Sequence, residues 1–373
     1  MATMAVYGIT FGLLHPLLSL ILANRGVSPT LIGLNAAMPA IAMMLFSPLA
    51  PRIIARIGIR RFLFGCMGVE IALLAALPTF DSLAAWFVIR LGLGATLAGM
   101  FIGAESWMHS IVDESSRGRV MGIYTTLYAA GFACGPAIIP FTGIEGWAPF
   151  LVAMAVVAAA GLPLLFAPPV RIDLAGSRRF GAYTFFLVAP VMAAAWLLLS
   201  FKESAGTALL SVYGLRSGLA PDDAALVLTA LAAGAMAFQY PFGWLADRFN
   251  RQRVLLAGGA GGVLGALLLP FAVEAGWLLW PFLFLWGGMF NGMLPVTLTL
   301  LGQHFRGAEL VSANAALGMI WGLGSIFGPS TGGAAMDVWD PHGLPAMMVL
   351  SGTAFVILGL TLQVAPRRNR SRA

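Results

Sequence analysis

Apolar residues run through this chain in twelve long blocks separated by short polar seams. The blocks predict helices at about 3–23, 30–51, 61–79, 83–107, 118–140, 147–167, 182–212, 221–243, 252–273, 276–302, 309–335 and 343–365. Each is close to the roughly 20 apolar residues that cross a bilayer core about 30 Å thick. Twelve spans with short seams use almost all of the 373 residues, which leaves no room for a soluble catalytic domain.

The seams carry the charge, and they carry it unevenly. An even number of spans puts both termini on one side of the membrane. The seams on that side hold Arg52, Arg56, Arg60 and Arg61, then Arg117 and Arg119, then Arg171, Arg178 and Arg179. Arg248, Arg251, Arg253, Arg306 and the tail residues Arg367, Arg368, Arg370 and Arg372 follow on the same side. The opposite seams hold only Arg25 and Arg216. Basic seams stay in the cytoplasm, so both termini are expected inside.

Composition agrees with a lipid solvent. Charged residues make up 10% of the chain and hydrophobic ones 60%, whereas soluble domains carry about 25% charged residues. Glycine, at 45 residues, exceeds the roughly 7% of ordinary proteins and suits close helix packing in a membrane. A net charge of +6 does not point to nucleic acid, because the arginines occupy alternate seams and form no basic face with interleaved aromatics. Cys66 and Cys134 sit within apolar blocks, where cysteine is inert packing. The N-terminus lacks a basic n-region and a small-residue cleavage site, so no signal peptide is expected, and the excess of arginine over lysine suits a GC-rich bacterial genome.

The longest seam divides the spans six and six. This reading gives a six-helix bundle over 1–167, a cytoplasmic linker over 168–181, a second bundle over 182–366 and a basic tail over 367–373. The halves repeat. A shift of 192 lays Pro29 to Gly58 on Pro221 to Asn250, and a shift of 193 lays Gly131, Gly135 and Pro136 on Gly324, Gly328 and Pro329.

Several motifs carry a family resemblance. The stretch Gly243-Trp-Leu-Ala-Asp247-Arg248-Phe-Asn250-Arg251-Gln-Arg253 resembles motif A of the major facilitator superfamily. Asn250 stands at the second glycine position and is expected to accept the positive backbone angles available there. Arg90-x-x-x-Gly94 resembles motif B, and Gly324-x-x-x-Gly328-Pro329-x-x-Gly332-Gly333 resembles motif C. Glu105-Ser106-Trp107, followed by Arg117-Gly118-Arg119-Val120 and Tyr124, is similar to a bacterial YcaD-like branch.

The resemblance implies an all-α integral membrane protein with the twelve-transmembrane-helix facilitator fold, built from two pseudo-repeated six-helix halves. It implies a secondary transporter that works by alternating access, the halves rocking about a midplane site. Asp247 would face a neighbouring helix N-terminus, with Gly243, Arg248 and Arg251 completing a conformational gate. Gly131, Gly135, Pro136, Gly324, Gly328 and Pro329 would serve packing or hinge motion. Motif C leans toward antiport, although its better copy lies in the eleventh span rather than the fifth.

Ionisable groups inside spans are costly in lipid and face a cavity or a partner. Lys202 and Glu203 lie near the middle of the seventh block, with Ser200, Glu203, Thr207 and Ser211 on one helical stripe. Glu203 is expected to couple protons or cations, and Lys202 either pairs with it or meets an anionic group; a structural ion pair is the bland alternative. His15, Glu70, Arg90 and Glu105 are further candidates for relay or cavity roles. Asn291, Tyr124 and Tyr128 are candidates for contacting substrate, and helix–helix hydrogen bonding is the bland reading of each.

Motifs for metal ligation, thiol redox chemistry and phosphate binding are missing, so neither a cofactor, a metal nor an enzymatic activity is expected. The expected partners are a small-molecule substrate, protons and membrane lipids, but no nucleic acid, and a monomer suffices. The reading is proton-coupled movement of a small solute across a bacterial inner membrane. Handling of a lipid or large amphipath, or a non-transporting sensor or scaffold, stays open beside it.

Overall fold

The structure is a computed structural model and describes residues 2–111, 117–166, 190–291, 293, 296 and 308–364. Twelve long helices account for most of them. The first half contains α1 (Ala2–Asn24), α2 (Pro29–Phe46), α3 (Ile59–Ala76), α4 (Leu83–Ile111), α5 (Arg117–Cys134) and α6 (Ala148–Phe166). The second contains α7 (Pro190–Arg216), α8 (Pro221–Arg248), α9 (Arg251–Glu274), α10 (Leu279–Asn291), α11 (Ala308–Val338) and α12 (Gly343–Val364). The expected linker over 168–181 and the tail over 367–373 lie outside the described residues.

By length and composition alone, seven of the described helices can cross a membrane: α1, α2, α4, α6, α8, α9 and α12. The others have local reasons to fall short. Arg60 and Arg61 open α3, Lys202 and Glu203 interrupt α7, and Gly135-Pro136 cuts α5. Residues outside the described set follow α10 and precede α11.

Two helix breaks and one cap depart from the sequence reading. The second block does not run to 51: α2 stops at Phe46, and Ala50–Ile57 forms a separate helix before Gly58. Gly58 has φ +83°, a left-handed angle that glycine adopts without steric cost, and it turns the chain into α3. The fifth block is not one helix to 140. Pro136 lacks the N–H that would continue α5, so a 3-10 turn over Pro136–Ile138 and a short helix over Ile139–Thr142 take its place. Asn250 does not use positive angles. At φ −61° it caps α9, its side-chain oxygen accepting from the N–H groups of Gln252 and Arg253 at 3.0 and 3.3 Å. Asparagine satisfies two orphan donors in this way, which glycine has no side chain to do.

The same packing scheme appears in both halves. In the first, α1 lies on α5, α2 on α4 and α3 on α6; in the second, α7 lies on α11, α8 on α10 and α9 on α12. Small residues permit these approaches. A methyl group at Gly131 or Gly135 would collide with the backbone of α1, and one at Gly324 or Gly328 with α7 around Ser200 and Phe201. The halves meet chiefly along α2 and α11, with α5 against α8 and α1 against α7 as further seams. Their tightest described approaches lie at the end of the bundle away from the termini, where Gly33 abuts the Pro329 carbonyl and Gly333 abuts that of Pro29.

Candidate functional site

Residues of α1, α4 and α5 pack together into an aromatic wall. Tyr7 is its centre, with ring centroids 5.7 Å from Phe101, 5.6 Å from Tyr128 and 6.0 Å from Phe11. Phe132 continues the wall, 6.0 Å from Phe11 and 6.4 Å from Tyr128. All five rings are partly exposed, and Tyr7 and Phe11 also pack against the main core. Sequence reasoning missed Tyr7, Phe11 and Phe101. Tyr7, Phe11 and His15 fall at i, i+4 and i+8 of one helix face, a signal that can be read as ordinary packing.

Carboxylates from three helices act electrostatically on tyrosines of α1 and α5. Glu203 of α7 is partly exposed and lies within electrostatic reach of Tyr128. It lines a cleft with Gly206, Leu210, Leu231, Trp286 and Met348. Glu70 of α3 is fully buried and interacts electrostatically with Tyr7. Its Oε2 accepts from the Thr96 hydroxyl of α4, while Oε1 has no hydrogen-bond partner among the described residues. Glu105 of α4 lies near Tyr124, which is itself buried with its hydroxyl unpartnered among the described residues.

Of the basic groups, His15 borders the wall at Phe11, and Arg90 and Lys202 engage other helices. Arg90 is 2% exposed and reaches α1, where its Nη1 donates to the Leu14 carbonyl at 3.4 Å; Nε and Nη2 have no partner among the described residues. His15 is in its field, and His15 Nδ1 sits 3.0 Å from the Phe11 carbonyl with the rings 4.1 Å apart. Lys202 is buried on another face of α7 than Glu203. Its Nζ is 3.1 Å from where a Cβ on Gly352 of α12 would stand.

The polar stripe on α7 is not a continuous cavity lining. Ser200 and Ser211 are fully buried, Ser200 against Gly324 of α11. The Thr207 hydroxyl donates to the Glu203 carbonyl at 2.8 Å. A buried hydroxyl in an apolar bundle takes the nearest backbone acceptor, which leaves Glu203 as the member of the stripe in the cleft. Asn291 closes α10, and its side chain lies outside the described residues.

The residues expected to form a gate cluster at the end that bears the termini. Asp247 is exposed and pairs with Arg251 at 3.6 Å, and the Arg248 guanidinium lies 4.4 Å from the Trp244 ring centroid. Gly243 faces open space. The two glycine-proline sites differ: Pro136 ends α5, whereas α11 continues through Pro329.

Comparison with known proteins accords with this architecture. The chain is 26% identical over 351 residues to the MFS-type transporter YfkF of Bacillus subtilis (strain 168), covering 91% of this chain and 88% of that protein. It is 25% identical over 383 residues to the MFS-type transporter Ent638_1421 of Enterobacter sp. (strain 638), covering 96% and 92%. Among solved structures, a point mutant of the nucleoside transporter NupG superimposes with a TM-score of 0.79 at 12% identity, covering 97% of this chain and 100% of that one. A bacterial homolog of the human lysosomal transporter Spinster, inward-facing and unoccupied, gives 0.75 at 16% identity, covering 96% and 94%. At those identities the likeness is one of fold. The family model of the Major Facilitator Superfamily matches residues 1–219 and 180–373, and the chain belongs to that superfamily.

Proposed function

We propose that this protein is a secondary active transporter that moves a small solute across a bacterial inner membrane by alternating access, coupled to protons through Glu203. The observation that carries the reading is the place of Glu203: a partly exposed carboxylate in the middle of an apolar span, on a helix of one half and in the field of Tyr128 on the other. A carboxylate there is costly unless water, a proton or a ligand reaches it. Rocking of the halves alters the environment of a group at their junction more than that of a group inside either one. The close approach of α2 and α11 at one end of the bundle supports a state sealed on that side. The arginine distribution supports cytoplasmic termini, so the sealed side is the outer one. The chain works as a monomer.

The test uses purified protein in liposomes loaded with a pH-sensitive dye and challenged with a panel of metabolites and drugs. A solute-dependent pH change, lost in Glu203→Gln while the variant remains folded, is the expected result. Solute movement without proton movement overturns the coupling, and no movement of any solute overturns the transport reading in favour of a lipid-handling or scaffold role.

A further inference from the structure

Beyond the transport reading and independent of it, we infer that the surface between α2 and α3 binds an anionic phospholipid, its phosphate held by Arg52 and Arg56 and an acyl chain laid along Leu45 and Leu49. The sequence supplies the charge. Residues 47–61 follow directly on α2, a helix long and apolar enough to cross a membrane, and hold Arg52, Arg56, Arg60 and Arg61 with no acidic residue. Four basic residues immediately past a span, on the side that the arginine distribution puts in the cytoplasm, are the pattern that attracts anionic headgroups. The repeated stretch of the second half is different. Asp247 stands there at the position of Ala55 and pairs with Arg251 at 3.6 Å, and the Arg248 guanidinium lies over the Trp244 ring. In the first half Arg52, Arg56 and Arg61 are exposed and have no carboxylate partner among the described residues.

The fold then holds these arginines in place. In the second half α8 runs on to Arg248, whereas α2 stops at Phe46 and the short helix over Ala50–Ile57 follows. Pro51 lacks the N–H that would carry α2 through this point. Ala50 and Ile54, one turn apart, are 0% and 4% exposed and belong to the main core, with the short helix packed on α3 and α4. Arg60 Nη2 donates to the Leu165 carbonyl at 2.8 Å, tying the start of α3 to the end of α6. Arg52 and Arg56, also one turn apart, therefore share an outer face of an anchored helix.

The neighbouring apolar surface decides the occupant. Leu45, Leu49, Arg52 and Arg56 follow one another at intervals of four, three and four residues, and the two leucines are 66% and 45% exposed. Exposed leucines at the end of a span, leading to arginines just beyond it, match the two parts of one lipid. Guanidinium groups suit phosphate oxygens, with which they form charge-assisted hydrogen bonds. A soluble phosphate would use the arginines alone; a phospholipid uses both.

The experiment follows binding of single phospholipids to the purified full-length protein by native mass spectrometry, with phosphatidylglycerol and phosphatidylcholine of identical acyl chains as probes. Phosphatidylglycerol is expected to bind about tenfold or more tightly. The double variant Arg52→Gln, Arg56→Gln should weaken that binding about tenfold or more, each arginine near an anionic surface being worth about fivefold. The double variant Arg251→Gln, Arg253→Gln removes the same charge from the second-half seam and should leave it unchanged. Equal binding of the two lipids overturns the proposal, and so do equal losses in the two double variants, which would mean charge attraction without a site. Displacement of the lipid by glycerol 3-phosphate would reveal an anion site with no use for the leucines and overturn the lipid assignment. If a variant does not fold, the unaltered protein decides: phosphatidylglycerol with a photoactivatable headgroup should cross-link within residues 49–61, and cross-links elsewhere overturn the site. Because the readout is binding, a failed transport assay leaves this result standing.

Discussion

The Asp337 carboxylate accepts a hydrogen bond from the Thr30 backbone N–H at 3.0 Å, tying the last turn of α11 in one half to the first turn of α2 in the other. A carboxylate at the end of its own helix opposes that helix's dipole, and at the start of a neighbouring helix it complements one. The contact therefore favours the arrangement in which α2 and α11 meet at this end. Asp337→Ala removes it at a cost of about 1 kcal/mol, the usual worth of a capping side chain, and so shifts the ratio of closed to open forms about fivefold. Spin labels at Val27→Cys and Trp339→Cys, with Cys66 and Cys134 replaced by alanine, should report more long distances in the variant. An unchanged distance distribution counts against a latch.

Gly33 and Gly243 make opposite predictions. A Cβ on Gly33 would strike the Pro329 carbonyl, a backbone atom that cannot swing aside, whereas one on Gly243 meets nothing within 4 Å. Gly33→Ala is expected to lower stability by about 1–3 kcal/mol, the range for overpacking. Gly243→Ala should leave the melting temperature unchanged or raise it, because alanine is the better helix former by about 1 kcal/mol. Thermal melts of both variants check the contrast. If Gly243→Ala nonetheless abolishes transport, the glycine is needed in the other conformation.

At Asn250 the side chain matters more than the backbone angle. Asn250→Ala should cost about 1 kcal/mol and Asn250→Gly only a few tenths. Equal losses in thermal unfolding, or a gain from glycine, would contradict the cap.

Arg90 separates stability from transport. A buried ionic group is often replaceable by an apolar residue of similar volume without loss of stability. Arg90→Met is therefore expected to melt within about 1 kcal/mol of the parent while transport falls at least about tenfold, the scale of losing one charged contact. Normal transport in a stable Arg90→Met would reduce Arg90 to packing.

Thr96→Val strands the Glu70 carboxyl, since the Thr96 hydroxyl donates to its Oε2. A loss of about 1–3 kcal/mol follows from leaving a buried acceptor unmade. Glu70→Gln in the same background should recover part of it, because a neutral amide tolerates burial better than a charge. A double-mutant cycle by thermal melts checks this, and strict additivity would show that the two residues do not interact.

Much of the fold was legible because lipid leaves few solutions. A bilayer core demands helices of a set length with internally paired backbones, so twelve apolar blocks and a repeat offset of 192–193 residues already imply the bundle. The motif A resemblance and the glycine-proline repeats named the superfamily that the family model matches. The break at Gly135-Pro136 was harder to read, because α11 continues through the same dipeptide at Gly328-Pro329. What α5 and α11 each pack against there is not written in either motif.

Glu203, Glu70 and Arg90 stood out in the sequence because any ionisable group in an apolar span does, so their identity as candidates needed no coordinates. Their grouping did. Only the tertiary structure sets Tyr7 of α1 beside Phe101 of α4 and Tyr128 of α5, turns Lys202 toward Gly352, and joins Asp337 to Thr30 across 307 residues. The physical reason is one of range. Span length, charge bias and internal repeat are properties of segments measured against the bilayer, whereas a site depends on which helix faces meet, and that is decided by side-chain packing between segments distant in the chain.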